Sequence, residues 1–169
     1  IFDLSNTPQL KAALEEVKVV VHAAGPFSDT ARQMIAACLQ TGTHYLDING
    51  DISVFEQIKS LDALAKEKNI MLLPGVGFDV VPTDCMALHL KNKLPDATHL
   101  KLAFASIGGG VSHGTAMTIV NKLCEGGAAR ENNRIVKKPL GEKGMWLDFG
   151  PRKLFVMSIP WGDVSTAHF

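Results

Sequence analysis

Three side chains in this sequence could give or take a proton beside a bound ligand: Asp47, Asp79 and His113. Each lies in or next to small, turn-forming residues. Asp47 opens DINGD, Asp79 falls within PGVGFDVVP, and His113 follows three glycines in IGGGVSHG. A carboxylate or imidazole suits general acid–base chemistry when it is held within reach of the reacting atom. Each also has a plain structural reading. Asp47 can be a turn carboxylate, Asp79 can cap a helix that has Pro82 near its start, and His113 can be a surface-loop histidine. No CxxC or His-x-x-x-His spacing points to a metal, and none is expected.

The elements that must position these residues follow from periodicity. Ile1 to Leu4 reads as a strand end. Thr7 and Pro8 open a helix with Leu10, Ala13, Leu14 and Val17 on one side. Lys18 to Ala23 is almost wholly apolar, as a strand covered on both faces must be. Ser28 or Asp29 caps the next helix, whose stripe is Ala31, Met34, Ile35, Cys38 and Leu39, and Gly42 stops it. THYLDI is a strand, Val54, Phe55, Ile58, Leu61 and Ala65 form a helical face, and IMLLP is a further strand. A helix with Met86, Leu90 and Leu94 on one side follows. This alternation predicts a parallel sheet with right-handed crossovers and helices on both faces.

Near Pro95 the pattern changes. HLKLAFA alternates as a strand with one wet face does. A glycine-rich loop leads to a helix carrying Ala116, Ile119, Val120 and Leu123, which Gly126 and Gly127 end. RIVKK, MWLDF and KLFVMSI read as strands joined by turns. A boundary within 94–98 therefore divides the chain into domains 1–95 and 96–169.

Composition narrows the function. The 169 residues are 46% hydrophobic, and 17 basic residues balance 17 acidic ones. A nucleic-acid partner is not expected, because the one basic cluster, Arg130, Arg134, Lys137 and Lys138, reads as a solvated surface with acidic neighbours. No apolar run reaches the roughly 20 residues of a membrane span, and no signal peptide is visible. Cys38, Cys85 and Cys124 are expected to be buried and reduced, in a cytoplasmic protein. Trp146 and Trp161 read as core or interface anchors. The start at Ile1, inside what reads as a strand, suggests part of a longer chain.

In an open parallel sheet, ligands bind beyond the carboxyl ends of the strands. Residues 23–29, 47–51 and 74–79 all fall there, and all are rich in Gly, Pro, Asp and Asn. Small residues at Ala24 and Gly25 let backbone approach a flat ligand, and the following helix offers free amides. One such turn is explained by chain reversal alone. Three at one edge suggest a ligand crevice.

The ordered set VVVHAAGPF, ACLQTGTHYLDINGD, LLPGVGFDVVPTDC, SHGTAMTIV and RKLFVMSIPWGDVSTA resembles the saccharopine dehydrogenase-like oxidoreductases, including proteins called trans-acting enoyl reductases. The resemblance implies an α/β fold: an incomplete Rossmann-type parallel sheet, then part of an α+β domain that often mediates dimerisation. It implies NADP or NAD as cofactor, hydride transfer to a small-molecule substrate, and a homodimer or other self-association. By the same resemblance, Ala24, Gly25, Pro26 and Phe27 would line the cofactor near its nicotinamide. Asp47, Ile48 and Asn49 would flank the ring and substrate. Gly77, Phe78 and Asp79 would close the crevice, and Asp3 would lie near the adenine.

The first strand of that pattern, its Gly-rich turn and its second strand are not found here, so the pyrophosphate cradle is missing. The bare apolar edge of Lys18–Ala23 is then expected to be covered by another chain or frayed. Asp47, Asp79 and His113 are the proton-donor candidates. The Tyr-x-x-x-Lys mechanism of short-chain dehydrogenases is excluded, since Tyr45 has Asn49 four residues on and is the single tyrosine. The rival to an enzyme is a catalytically silent scaffold or dimerisation module.

Overall fold

The structure, a computed structural model, describes residues 2–78, 80–106, 108–110, 116, 120 and 126–168. The chain forms two compact units, Ile1–Pro82 and Thr83–Phe169. The change in sequence patterning falls later, within 94–98.

The first unit is a parallel sheet with helices. Its order is α1 (Thr7–Glu15), β1 (Val19–His22), α2 (Phe27–Thr41), β2 (His44–Asp47), α3 (Ile52–Ser60), α4 (Asp62–Glu67) and β3 (Leu72–Leu73). The strands lie side by side as β1-β2-β3, with Val19 opposite His44 and Tyr45 opposite Leu72. Asn6 caps α1 by accepting from the Gln9 amide at 3.3 Å, one residue earlier than the expected Thr7, and Pro8 lies in the first turn. Gly42 ends α2 as expected, with φ +75° and its amide on the Cys38 carbonyl at 2.9 Å. Leu61 breaks the run from Val54 to Ala65 into α3 and α4.

Two expectations for this unit need correction. Residues 2–4 form no strand, and Leu4 and Ser5 make a turn instead. Asp3 accepts from the Ser5 amide at 2.8 Å and its carbonyl from the Asn6 amide at 2.9 Å, so the backbone is satisfied locally. Helices also cover one face of the sheet, not both. Leu10, Leu14, Ile35, Cys38, Tyr45 and Ile58 form the core on that face, while Val19 and Val21 are exposed on the other. The cause is topological. Three neighbouring parallel strands that advance in one direction through right-handed crossovers put every crossover helix on the same side.

The second unit is built from hairpins. It contains α5 (Val81–Lys93, which begins two residues before the unit), β4 (Gly127–Glu131), β5 (Arg134–Lys138), β6 (Gly144–Asp148), β7 (Lys153–Met157) and α6 (Asp163–Thr166). β4 pairs with β5 and β6 with β7, both antiparallel. Asn132 and Asn133, at φ +48° and +64°, make the tight turn between β4 and β5. Arg130 donates from Nε to the Val164 carbonyl at 2.9 Å and holds the last helix. That part of the basic cluster is therefore structural. Lys138 pairs with Glu131 at 2.8 Å.

Four further readings differ from the structure. HLKLAFA forms no strand, since its alternation meets no partner strand among the described residues. The Met86, Leu90 and Leu94 stripe of α5 is exposed, and Ala87 is the buried residue instead. Cys38 is buried but Cys85 is exposed. Of the two tryptophans read as core or interface anchors, Trp146 is exposed, which excludes only the core reading, and Trp161 lies tilted against Phe104 with centroids 4.6 Å apart. Cys124 and the helix expected over 116–123 lie largely outside the described residues.

Gly75 fixes the turn after β3. Its φ is +72°, and a Cβ there would meet Phe55 Cζ and Val80 Cγ2 at 2.6 Å. Gly75→Ala should therefore destabilise the fold by about 2 kcal/mol, through strain and overpacking together. A denaturation midpoint within experimental error of the parent would contradict this.

Candidate functional site

Parallel pairing brings the carboxyl ends of β1, β2 and β3 to one edge. Three turns leave that edge, carrying Ala24–Phe27, Asp47–Asp51 and Pro74–Phe78. One side chain ties two of them together. Asp47, wholly buried, takes hydrogen bonds from Tyr45 Oη at 2.7 Å, Asn49 N at 3.1 Å, Asn49 Nδ2 at 2.6 Å and Gly75 N at 2.7 Å. Its own carbonyl accepts from Val76 N at 2.7 Å. All four side-chain contacts are donors, as an acceptor-only carboxylate requires. Burial, then the Asp47 charge, pushes the Tyr45 phenol well above its usual range, so this hydroxyl remains a donor. Asn49 continues the network by accepting from the Asp51 amide at 2.6 Å, and Asp51 caps α3.

The first turn is held by its own network. Thr30 Oγ1 donates to the Ala24 carbonyl at 2.6 Å and lies 2.9 Å from His22 Nε2. The single hydroxyl proton is thereby committed, so Nε2 is the donor to Thr30. His22 is buried, stands edge-on to Phe27 at 5.4 Å and lies opposite Asp47 in the sheet register. Burial pushes its pKa down, and the Asp47 charge pulls it partly back.

These contacts turn carbonyls inward and leave amides outward. The Pro26 carbonyl accepts from Asp29 N and Thr30 N, whereas the Gly25, Phe27 and Ser28 amides donate to no group among the described residues. α2 has no side-chain cap at this end. The edge thus offers free donors at the positive end of a helix, the usual device for an anion or a carbonyl oxygen. A Cβ at Gly25 would meet nothing closer than the Phe27 ring at 3.6 Å, so the backbone is open to close approach. Ile48 and Phe78 are exposed here, and Gly77 packs on Ile48, where a Cβ would lie 3.2 Å from Ile48 Cβ.

Ala24, Gly25, Pro26, Phe27, Asp47, Ile48, Asn49, Gly77 and Phe78 therefore lie on the turns of a single edge. Asp3 is exposed in its Asx turn, and the hydrogen bonds from Ser5 hold its pKa below the usual carboxylate value. Asp79 and His113 lie outside the described residues. His22, Thr30 and Tyr45 are the residues that sequence reading missed. A histidine ending a valine strand eight residues before a threonine was the available signal. No His, Cys, Asp and Glu cluster fit to hold a metal occurs among the described residues, and no helix there is long and apolar enough to cross a membrane.

A parallel three-stranded sheet whose strand-end turns gather at its carboxyl edge has the architecture of a Rossmann-type unit. Residues 1–73 match the family model of the saccharopine dehydrogenase NADP binding domain. The chain is 27% identical over 111 residues to a saccharopine dehydrogenase-like oxidoreductase of Bos taurus, covering 65% of this chain and 26% of that protein. It is 24% identical over 159 residues to a Mycobacterium tuberculosis protein described as a trans-acting enoyl reductase, covering 89% of this chain and 38% of that protein. An Arabidopsis thaliana protein named as a mitochondrial saccharopine dehydrogenase-like oxidoreductase is 26% identical over 83 residues, 48% of this chain and 18% of that protein. The chain spans well under half the length of each of these relatives.

Two outcomes test the networks. Asp47→Asn puts an amide donor against groups that are all donors, and should destabilise the fold by about 3 kcal/mol, read from denaturant unfolding. An unchanged midpoint would show that the carboxylate is dispensable. His22 makes a pH prediction. Its folded-state pKa is below the ordinary 6.5, so the unfolded chain binds more protons. Its contribution to stability is full above 6.5, falls as the pH drops below that value, and levels off below the depressed native pKa. His22→Gln should flatten this part of the profile of thermal midpoint against pH.

Proposed function

We propose that this chain is the nicotinamide-side portion of an NADP- or NAD-dependent oxidoreductase acting on a small-molecule substrate in the cytoplasm, as a homodimer. One observation carries the reading: three turns at one sheet edge, two of them joined through Asp47, leave the Gly25, Phe27 and Ser28 amides free. When bound, the nicotinamide supplies or accepts the hydride. The residues present fit its flat ring and carboxamide. Gly25 gives close approach, the free amides receive a carbonyl oxygen, and Ile48 and Phe78 offer apolar surface. Asp3 is the proposed neighbour of the adenosine end.

Asp47 is proposed as a positioning residue. Both of its oxygens are engaged and none of its surface is exposed, so it aims the Asn49 and Gly75 turns instead of passing a proton. Asp79 and His113 remain the proton-donor candidates. The second reading, a silent scaffold or dimerisation module, is favoured by one fact. His22, Asp47 and Asp51, the described acids and bases of the first two turns, are all taken up by internal hydrogen bonds.

Two-dimensional NMR of the chain titrated with NADPH, and separately with NADH, tests the proposal. The amide signals of Gly25, Phe27, Asn49 and Gly77 should shift together with weak, roughly millimolar affinity. No shift at these amides up to about 10 mM of either nucleotide, well past that affinity, would overturn it.

A further inference from the structure

The hairpin β6–β7 presents an exposed face that no described residue covers. The antiparallel register puts Trp146 opposite Phe155 and Asp148 opposite Lys153, and these four side chains project from the same face as Met157. Trp146 is 70% exposed, Phe155 54% and Met157 58%. On the other face Leu147, Leu154 and Val156 are half-buried, and Met145 is 36% exposed. The hairpin therefore has an inner side and carries its largest rings on the outer one. Trp146 and Phe155 meet edge-on with centroids 5.7 Å apart, and a Cβ at Gly144 would collide with Phe155 Cζ. The Phe155 ring lies over Gly144 and extends the aromatic surface along the strand. A contiguous exposed aromatic patch flanked by charge is the usual mark of a protein contact.

The arrangement identifies the partner. Across its long axis the face pairs unlike with unlike: β6 carries the acid and the indole, and β7 carries the base and the phenyl ring. A two-fold axis parallel to the strands and lying between two such faces sets β6 of one copy over β7 of the other. That places Trp146 on the partner's Phe155, and Asp148 on the partner's Lys153, twice over. Such self-complementarity is what an isologous interface requires. Asp148 and Lys153 form no ion pair with each other within the chain, and Asp148 Oδ1 accepts from the Gly150 amide at 2.8 Å, so the Lys153 ammonium is available. We propose that the outer face of β6–β7 is the surface on which a second copy of this chain docks. The proposal rests on the homodimer reading above and adds the face and the symmetry.

The test is a charge-swap mixing experiment followed by sedimentation equilibrium. The parent chain should be a dimer at high concentration. Asp148→Lys makes the face doubly basic and Lys153→Asp makes it doubly acidic. Each alone should dimerise about tenfold more weakly, because like charges then face across the axis. Mixed in equal amounts, the two variants should recover association as heterodimers, which repair of a hairpin inside one chain cannot produce. Trp146→Ser should be monomeric, with the circular dichroism of the parent confirming the fold. A monomeric parent would sink the homodimer and this face together. A parent dimer that neither charge variant weakens, or variants that fail to recover on mixing, would sink the face and leave the homodimer standing.

Discussion

The hold of the Asp47 carboxylate on two successive strand-end turns is the constraint on which the rest of the first unit depends. A parallel strand delivers its chain to the sheet edge, but nothing in a ladder says where the next residues go. Here one oxygen of Asp47 gathers Asn49 N, Asn49 Nδ2 and Gly75 N, while the other takes the Tyr45 hydroxyl. A neutral side chain of that shape could not accept all four. The cost of burying the charge is met by those donors, and the result is a rigid edge in place of two independent loops. The backbone carbonyl of the same residue takes Val76 N, so β2 and the turn after β3 are fastened twice.

The first turn follows another logic. It is held by a neutral network, His22 to Thr30 to the Ala24 carbonyl, in which the histidine can act as donor without carrying charge. His22 and Asp47 lie opposite each other in the register. Burial disfavours charge on the imidazole, and the carboxylate moderates that penalty without overcoming it. The outward amides at Gly25, Phe27 and Ser28 are a by-product of pulling carbonyls inward, which is how a turn can become a donor surface without any dedicated side chain.

Much of this was legible in the sequence, and the misses have physical causes. Gly42 as a helix stop, the α2 stripe through Cys38 and the convergence of three turns at one edge follow from local chemistry and periodicity. The saturation of Asp47 does not, because one of its partners, Gly75, is 28 residues away. Nor does composition reveal that helices cover one face only. A run such as Val19–Val21 reads as doubly covered, yet handedness places each crossover on the same side. Alternation in HLKLAFA reads as a strand, but period alone cannot supply the neighbour that a ladder needs.

The second unit obtains its order differently, and that difference explains its exposed apolar residues. β4–β5 and β6–β7 are each two strands joined by a short connection, so their pairing is local, and a two-stranded hairpin has little capacity to bury both faces. Where an anchor is added, it is polar: Arg130 reaches the Val164 carbonyl from β4. Nearby, burial and the Asp84 charge raise Asp163 to about 6, opposed by a hydrogen bond from Thr83. Its protonated form therefore favours the fold, and that contribution is lost as the pH rises from 3.8 through about 6, opposite in sign to the effect of His22. One chain thus carries a unit fastened by a buried carboxylate that its donors satisfy, and another in which a half-buried carboxylate is the weak point.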